Sequence, residues 1–410
     1  MEATLTLERM VHGGYALARL PGGRLALIRG GIPGEVVRSD VHESAGVMRG
    51  EVLEILEASP DRVPASDHPG LDTSFASYSR QLSLKREVTL DALRRALRRE
   101  VVVPEVVPAP SLWRYRSVVQ PVVVDGGLGY RVPGSHRTVL LTEDPVAFES
   151  VRRAWWIWHD LSPPGGIREL VLRGNDRGEV LAALISTSPG SNLLPFAHEL
   201  VRAGIDGVAY APFDPRGRFR GGRSRLAGVR SMRQQYGRFD VTVNAWSFAQ
   251  PNPEAASGLY RALDDVIPTG EHALDLYAGS GIIGMHLARS YNQVTAVEID
   301  RGSVARGQKD AERLGIDNLI FTRADAKVLD IPPDVDLICC DPPRAGLSKA
   351  VRSAIIASAC DTLLYISCDV ATWARDVAHF EGAGFELALV QPFDFYPHTH
   401  HIEVLSLLRR

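Results

Sequence analysis

Residues His272–Gly284 read HALDLYAGSGIIG. A strand-like run stops at a glycine loop, Gly279-Ser-Gly-Ile-Ile-Gly284, and the helical pattern IIGMHLARS (282–290) begins inside that loop. A G-x-G-x-x-G between strand and helix lets the backbone turn tightly and approach a ligand with no Cβ in the way. Outward from it, strand and helix keep alternating. Strand readings fall at 293–300, 318–325, 336–341, 362–369, 386–393 and 401–408, and helical readings at 303–315, 348–359 and 372–384. This predicts an α/β class with a doubly wound, Rossmann-like sheet over residues 246–410. The last two strands have no helix between them, so an antiparallel pair is expected at one edge. Ligands of such sheets bind at the carboxyl ends of the strands. That rule puts Asp275, Glu298, Asp341 and Cys368 on one rim.

The first sixty residues read differently. Short strand-like runs, ATLTLERM, RLALIRG, EVVRSDVHE and RGEVLEILE, are separated by Gly13-Gly14, Pro21-Gly22-Gly23 and Pro33-Gly34. They suggest a small OB-like β-barrel over 1–60, followed by a linker at Ala58 to Pro69. Residues 61–245 read as a β-rich central domain. Within it, Gln81 to Arg99 has a helical period with Leu82, Val88, Leu90, Leu93 and Leu97 on one face, and this helix is expected to pack on the C-terminal domain.

The 410 residues are 45% hydrophobic and 23% charged, as expected of a soluble globular protein, with a net charge of -3. No secretory signal and no membrane span are read, and a cytoplasmic monomer is expected. The net charge gives no sign of nucleic acid, but its distribution does. Arg216 to Arg238 holds eight arginines and no acid, with Phe219 and Tyr236 interleaved. Guanidinium forks suit phosphates and aromatic rings stack on unpaired bases, so Arg220, Arg223 and Arg225 are candidate RNA contacts. The alternative is a solvated loop.

Two cofactors fit the glycine loop. Glu298, nineteen residues after Gly279, stands where an acid holds the ribose of a dinucleotide, which would make the chain a nicotinamide-dependent oxidoreductase. The same parts bind S-adenosylmethionine. Asp275 before the loop, placed to face the ammonium of an amino-acid moiety, and the stiff strand-end loop Asp341-Pro342-Pro343-Arg344 favour the methyl donor.

At this point the chain resembles the RNA uridine C5-methyltransferases. His12-Gly13-Gly14, Pro33-Gly34-Glu35 and Ser59-Pro60-Asp61-Arg62 look like that family's RNA-binding TRAM module. Ser247-Phe248-Ala249-Gln250-Pro251-Asn252, DLYAGSG, VEID, DPPRAG, SCDVATWARD and FYPHTHHIE follow in the family's order. The resemblance implies that Gln250, Tyr277, Gly279, Glu298 and Asp341 bind S-adenosylmethionine, that Cys368 is the nucleophile, and that Glu403 accepts a proton. Arg344 is a candidate substrate contact. Ribosomal RNA, ahead of transfer RNA, is the expected partner, with the target uridine unpaired or flipped out.

The sequence departs from the family pattern twice. Many members carry an iron–sulfur cluster on N-terminal cysteines, whereas Cys339, Cys340, Cys360 and Cys368 all lie after residue 338, so no cluster is expected. Val370 replaces a proline after Ser-Cys-Asp, which predicts a slightly looser nucleophile loop. His398, His400 and His401 invite a metal, but no cysteine lies near them, and they are expected to contact RNA or to orient Glu403. RNA cytosine C5-methylation, and a non-catalytic RNA-binding factor, are the rival readings. Arg344 stands where amino-group methyltransferases often place an aromatic residue, which speaks against N-methylation.

Overall fold

The computed structural model describes residues 1–135 and 137–410. Strands β1 (Glu2–Val11), β2 (Tyr15–Arg19), β3 (Leu25–Arg29), β4 (Val36–Ser44) and β5 (Val47–Glu57) close into a barrel of order β1-β2-β3-β5-β4. Alternate residues fill it, among them Leu5, Leu7, Ala16, Ala18, Ile28 and Val41. Strand β2 is missing from the sequence reading because its inward residues are alanines, which carry little strand preference. The Pro33-Gly34-Glu35 and Ser59-to-Arg62 motifs meet each other. Glu35 is fully buried and takes both arms of Arg62 at 2.6 Å, plus the Ile32 and Ser59 amides. Burial pushes its pKa up, but Arg62 and those amides outweigh burial, and the net shift is downward.

Helix α1 (Tyr78–Leu97) is capped by Ser77 and ends on Arg98 in the left-handed region. Its inward face is Gln81, Leu84, Lys85, Val88, Thr89 and Leu93. Of the residues read onto that face, Val88 and Leu93 are buried, Leu90 and Leu97 are half-buried and pack against the same core, and only Leu82 lies off it. Polar residues hold the face because they have partners. Lys85 reaches Asp394 at 2.6 Å and Gln81 reaches the Ala76 carbonyl at 2.8 Å.

The central region is an eight-stranded mixed sheet. It contains β6 (Val118–Val119), β7 (Val122–Val124), β8 (Gly127–Arg131), β9 (Thr138–Leu140), β10 (Ile167–Gly174), β11 (Val180–Ser186), β12 (Gly207–Pro212) and β13 (Ser224–Gly228). Helices α2 (Glu149–Asp160) and α3 (Leu194–Arg202) bury Trp155, Trp158, Phe196 and Leu200 against it. A hairpin, β14 (Met232–Tyr236) with β15 (Phe239–Val243), leads into the last domain.

That domain holds α4 (Pro253–Val266), β16 (Gly270–Leu276), α5 (Ile282–Leu287), β17 (Tyr291–Glu298), α6 (Arg301–Leu314), β18 (Leu319–Arg323), β19 (Leu337–Cys340), α7 (Lys349–Ala357), β20 (Thr362–Ser367), α8 (Val370–Glu381), β21 (Glu386–Phe393) and β22 (Glu403–Arg409). The sheet order is β18-β17-β16-β19-β20-β22-β21. The first five strands are parallel, and β22 inserts antiparallel between β20 and β21. Successive residues serve opposite faces. Ala273, Cys339, Leu364 and Leu405 face α4 and α5, while Leu274, Cys340, Leu363 and Val404 face α1, α7 and α8. No helix among the described residues is long and apolar enough to cross a membrane.

Candidate active site

A cavity of about 780 Å³ opens at the carboxyl ends of β16, β17, β19 and β20. Gln250, Tyr277, Gly279, Glu298, Asp341, Arg344, Cys368 and Glu403 all line it. Its size suits a nucleoside-sized cofactor with a pyrimidine beside it.

At the cofactor end the glycine loop is shaped by two residues. Gly279 sits at φ +58 with no atom within 4 Å of where a Cβ would be, so the backbone there faces open space. At Gly281, φ +79, a Cβ would lie 2.4 Å from the Phe321 ring. Between β16 and the loop, Tyr277 holds a positive φ of 63 without being glycine, a strained conformation of the kind found at binding sites. Glu298 accepts the Gly279 amide at 3.0 Å and the Asp300 amide at 2.7 Å, and still borders the cavity. The carboxylate is thereby aimed at the end of its strand, where a ribose would lie. These residues fit S-adenosylmethionine.

Asp275 lies behind the cavity rather than on its rim. It is fully buried, accepts the Gly284 amide at 2.9 Å, and is not on the cavity wall. It braces the start of α5 instead of facing a ligand. Burial pushes its pKa well up.

At the reacting end, Cys368 follows the last residue of β20 and is the one partly exposed cysteine; the other three are buried. Its loop is tightly held. Asp369 caps α8 by accepting the Thr372 amide at 2.9 Å, and the Thr372 hydroxyl donates to the Arg344 carbonyl at 3.0 Å. The Asp341–Arg344 loop and the Cys368 loop are therefore tied together. Val370, which stands where the family places proline, is 2% exposed and packs into the core. Beneath, Asp376 accepts from Tyr365, Arg352, Arg375 and the Leu347 amide, which fixes the α8 side of the site.

The electrostatics of the ligand-free site disfavour the Cys368 thiolate. Burial pushes the Cys368 thiol up to about 12, and the carboxyl groups of Glu403 and Asp341 add to this while Arg344 opposes it. Burial raises Asp341 to about 7. Glu403 is 2% exposed and is raised well above the usual range by burial and by Asp341, with Arg344 opposing. One Glu403 oxygen meets no donor among the described residues. The site is thus set for a cation, a proton, or both.

The three histidines take different partners, although the His400 and His401 rings lie 4.2 Å apart. His398 is buried, stacks on Trp113 at 4.0 Å, and is lowered to about 4, first by burial. His400 Nδ1 meets Asp72 at 2.5 Å. His401 borders the cavity 3.4 Å from Arg344 and is lowered to about 3, first by burial. With those shifts His398 and His401 are neutral near pH 7 and offer no cationic contact to phosphate. None of the three bonds to Glu403.

Of the three candidate arginines Arg220, Arg223 and Arg225, only Arg223 reaches the wall, 5.8 Å from the Trp246 ring. Arg220 and Arg225 lie outside it, and Arg225 spends a donor on the Gly228 carbonyl at 2.7 Å. Tyr236 cannot stack on a base: it is fully buried and donates to the Gln250 carbonyl at 2.8 Å. Phe219 packs partly against the same core. The sequence reading did not single out two wall residues, Arg116 and Phe248. Arg116 lies 5.8 Å from the Tyr396 ring with a buried, unpartnered Nε, and Phe248 is 76% exposed at the mouth. Phe248 was legible, since it stands inside the Ser247–Asn252 motif.

Comparison with known proteins agrees with this architecture. A family model described as tRNA (Uracil-5-)-methyltransferase matches residues 231–331 and 333–410. An uncharacterised RNA methyltransferase of Thermosynechococcus vestitus is 30% identical over 98% of this chain and 97% of its own. Another, of Streptomyces avermitilis, is 29% identical over 99% and 98%. The crystal structure of the Pyrococcus abyssi tRNA (uracil-54, C5)-methyltransferase, solved with S-adenosyl-L-homocysteine, superposes with a TM-score of 0.79 over 100% of both chains at 23% identity, and so shares the fold. With a relative 30% identical from end to end, and the family model lying on the domain that carries Cys368 and Glu403, the chain belongs to the RNA (uracil-5-)-methyltransferase family.

Proposed function

We propose that the protein methylates C5 of a uridine in RNA, with S-adenosylmethionine as donor and a transient Cys368–C6 bond. The observation that carries this is the convergence on one cavity of a partly exposed cysteine, a buried carboxyl with a raised pKa, and the glycine-loop cofactor wall. Bound S-adenosylmethionine supplies an electrophilic methyl group on a sulfonium.

The residues do the rest. C5 of uracil is a weak nucleophile. When the Cys368 thiolate adds to C6, the C5–C6 electron pair moves toward O4 and C5 becomes electron-rich. C5 then takes the methyl group. Glu403 removes the C5 proton; the C–H electrons restore the C5–C6 double bond and the sulfur leaves. A carboxylate with a raised pKa is a better base for that step than an exposed one. In the empty site Cys368 is a thiol, so its ionisation is coupled to ligand binding, with Arg344 supplying the opposite charge. Asp341, beside both groups, orients the base or the donor.

A base within a duplex cannot present C6 to a thiol, so the uridine is unpaired or flipped. The N-terminal barrel and Arg223 would grip flanking RNA. The target proposed is large-subunit ribosomal RNA, with transfer RNA second, since both are substrates of the resembled family. The test is nucleoside analysis of each RNA, taken from cells lacking the gene and treated with the enzyme. 5-Methyluridine is expected; 5-methylcytidine would select the cytosine reading, and no methylated pyrimidine would refute the proposal.

A further inference from the structure

The turn after β1, His12-Gly13-Gly14, leaves the barrel and docks on the catalytic domain. His12 Nε2 lies 3.0 Å from Oδ2 of Asp369, the residue after Cys368. Gly14, at φ +77, lies so close to the far side of the site that a Cβ would come within 3.0 Å of both Asp72 Oδ2 and His400 Cβ. His400 is three residues before Glu403. One barrel turn therefore touches the segment that carries the nucleophile and the segment that carries the base. The docking is anchored nearby: Met10 is buried with α1 and the sheet, and Arg9 pairs with Asp91 of α1 at 2.7 Å.

We infer that His12 is a positioning residue for the nucleophile loop, so that the N-terminal barrel is part of the catalytic frame as well as an RNA module; this rests on the function proposed above. Asp369 has two jobs on two oxygens. Oδ1 caps its own helix through the Thr372 amide, and Oδ2 meets His12 from another domain. The cap and the Thr372–Arg344 bond tie the loop to its own domain. The His12 contact braces it from the barrel and offsets a negative charge one residue from the thiol that must ionise. A misplacement of about 1 Å at a reacting group costs up to roughly a hundredfold in rate.

The experiment is single-turnover methyl transfer to ribosomal and transfer RNA from cells lacking the gene, with the wild-type chain, His12→Ala, His12→Gln, Asp369→Asn, the His12→Ala/Asp369→Asn pair, and Gly14→Ala. His12→Ala is expected to slow the step roughly tenfold to a hundredfold, with S-adenosylhomocysteine affinity and RNA KM unchanged. His12→Gln, which keeps a donor at that reach, recovers most of the rate. The double variant is no slower than the worse single one, because both remove one contact. Gly14→Ala, which wedges the turn away from His400, is slowed as well. An unchanged rate in His12→Ala, a change confined to RNA KM, or additive effects in the pair would overturn the inference while leaving the proposed function standing. A wild-type chain that methylates neither RNA would overturn both.

Discussion

Cys368 and Glu403 face each other across the antiparallel β20–β22 pair. The last ladder pair of these strands is Ser367 with Val404, so the next position outward sets Cys368 against Glu403. Directly opposed residues of an antiparallel pair project to the same side of the sheet, and both side chains border the same cavity. Two residues 35 positions apart in sequence are thus brought together by inserting β22 beside β20 rather than at the sheet edge.

Glu403→Gln separates the two halves of the proposed reaction. Addition to C6 and methyl transfer need only Cys368, whereas release needs the C5 proton removed. The variant is expected to lose roughly 10²–10⁴ in turnover and to accumulate a protein–RNA conjugate with ordinary uridine RNA. A denaturing gel checks this; slow turnover without a conjugate would move the base role elsewhere.

The pH dependence follows from the raised thiol. In the ligand-free protein Cys368 is pushed up to about 12, so the reactive thiolate fraction grows throughout the accessible alkaline range. Alkylation of Cys368 by iodoacetamide, followed by mass spectrometry, should still rise about tenfold per pH unit between about pH 8 and 10.5. A rate that levels off just above pH 9, the ordinary thiol value, would mean the thiol is not raised. Arg344→Ala should slow alkylation at every pH, because Arg344 is the charge that favours the thiolate.

Asp341 gives a stability test with a definite sign. Its folded pKa, about 7, lies above the ordinary 3.8, so the native state holds the proton more tightly than the unfolded chain does. The stability this lends is complete below pH 3.8 and is lost as pH rises to about 7. Asp341→Asn should therefore match the wild type near pH 4 and exceed it at pH 8. The carboxyl borders an open cavity, so a gain of roughly 2 kcal/mol is expected rather than the full shift. Urea unfolding at the two pH values measures it.

Lys85 and Asp394 form a buried ion pair, 4% and 0% exposed, joining α1 to the turn before β22. Lys85→Met leaves Asp394 buried and unpaired and should cost about 3–5 kcal/mol. The double change Lys85→Met with Asp394→Leu should restore much of it. Denaturant midpoints of the three variants decide the matter.

Arg223→Ala should weaken RNA binding and flatten its salt dependence, since Arg223 is the one candidate of its segment on the cavity wall. Arg225→Ala should do less, because that side chain lies off the cavity wall and already gives one donor to the Gly228 carbonyl. Filter binding at two salt concentrations separates them; equal effects would return the whole segment to consideration.

The catalytic sheet was legible because each element carries its own period and the cofactor wall comes from loops next to those elements. Gly279, Glu298, Asp341 and Cys368 sit at strand ends that can be read one at a time. Helix α2 was not legible. Its inward residues Val151, Ala154, Trp155 and Trp158 do have helical spacing, but tryptophan and valine favour strands, and Phe148 offers no side-chain cap. Lys85 and Gln81 were missed on the inward face of α1 because their partners, Asp394 and His398, lie some 300 positions away. Arg116 and the His12–Asp369 contact are equally long-range. Conversely, Tyr236 and Asp275 looked functional by residue type and lie buried off the cavity wall.

The central claim is a covalent bond between Cys368 and a pyrimidine. It is tested most directly by incubating the enzyme and S-adenosylmethionine with 5-fluorouridine-substituted ribosomal or transfer RNA, where fluorine replaces the C5 hydrogen that Glu403 must remove. The account predicts a conjugate that survives denaturation, maps to Cys368 by peptide mass analysis, and is absent from Cys368→Ala. A conjugate that persists in Cys368→Ala, or none with the wild-type chain on an RNA it methylates, would contradict it.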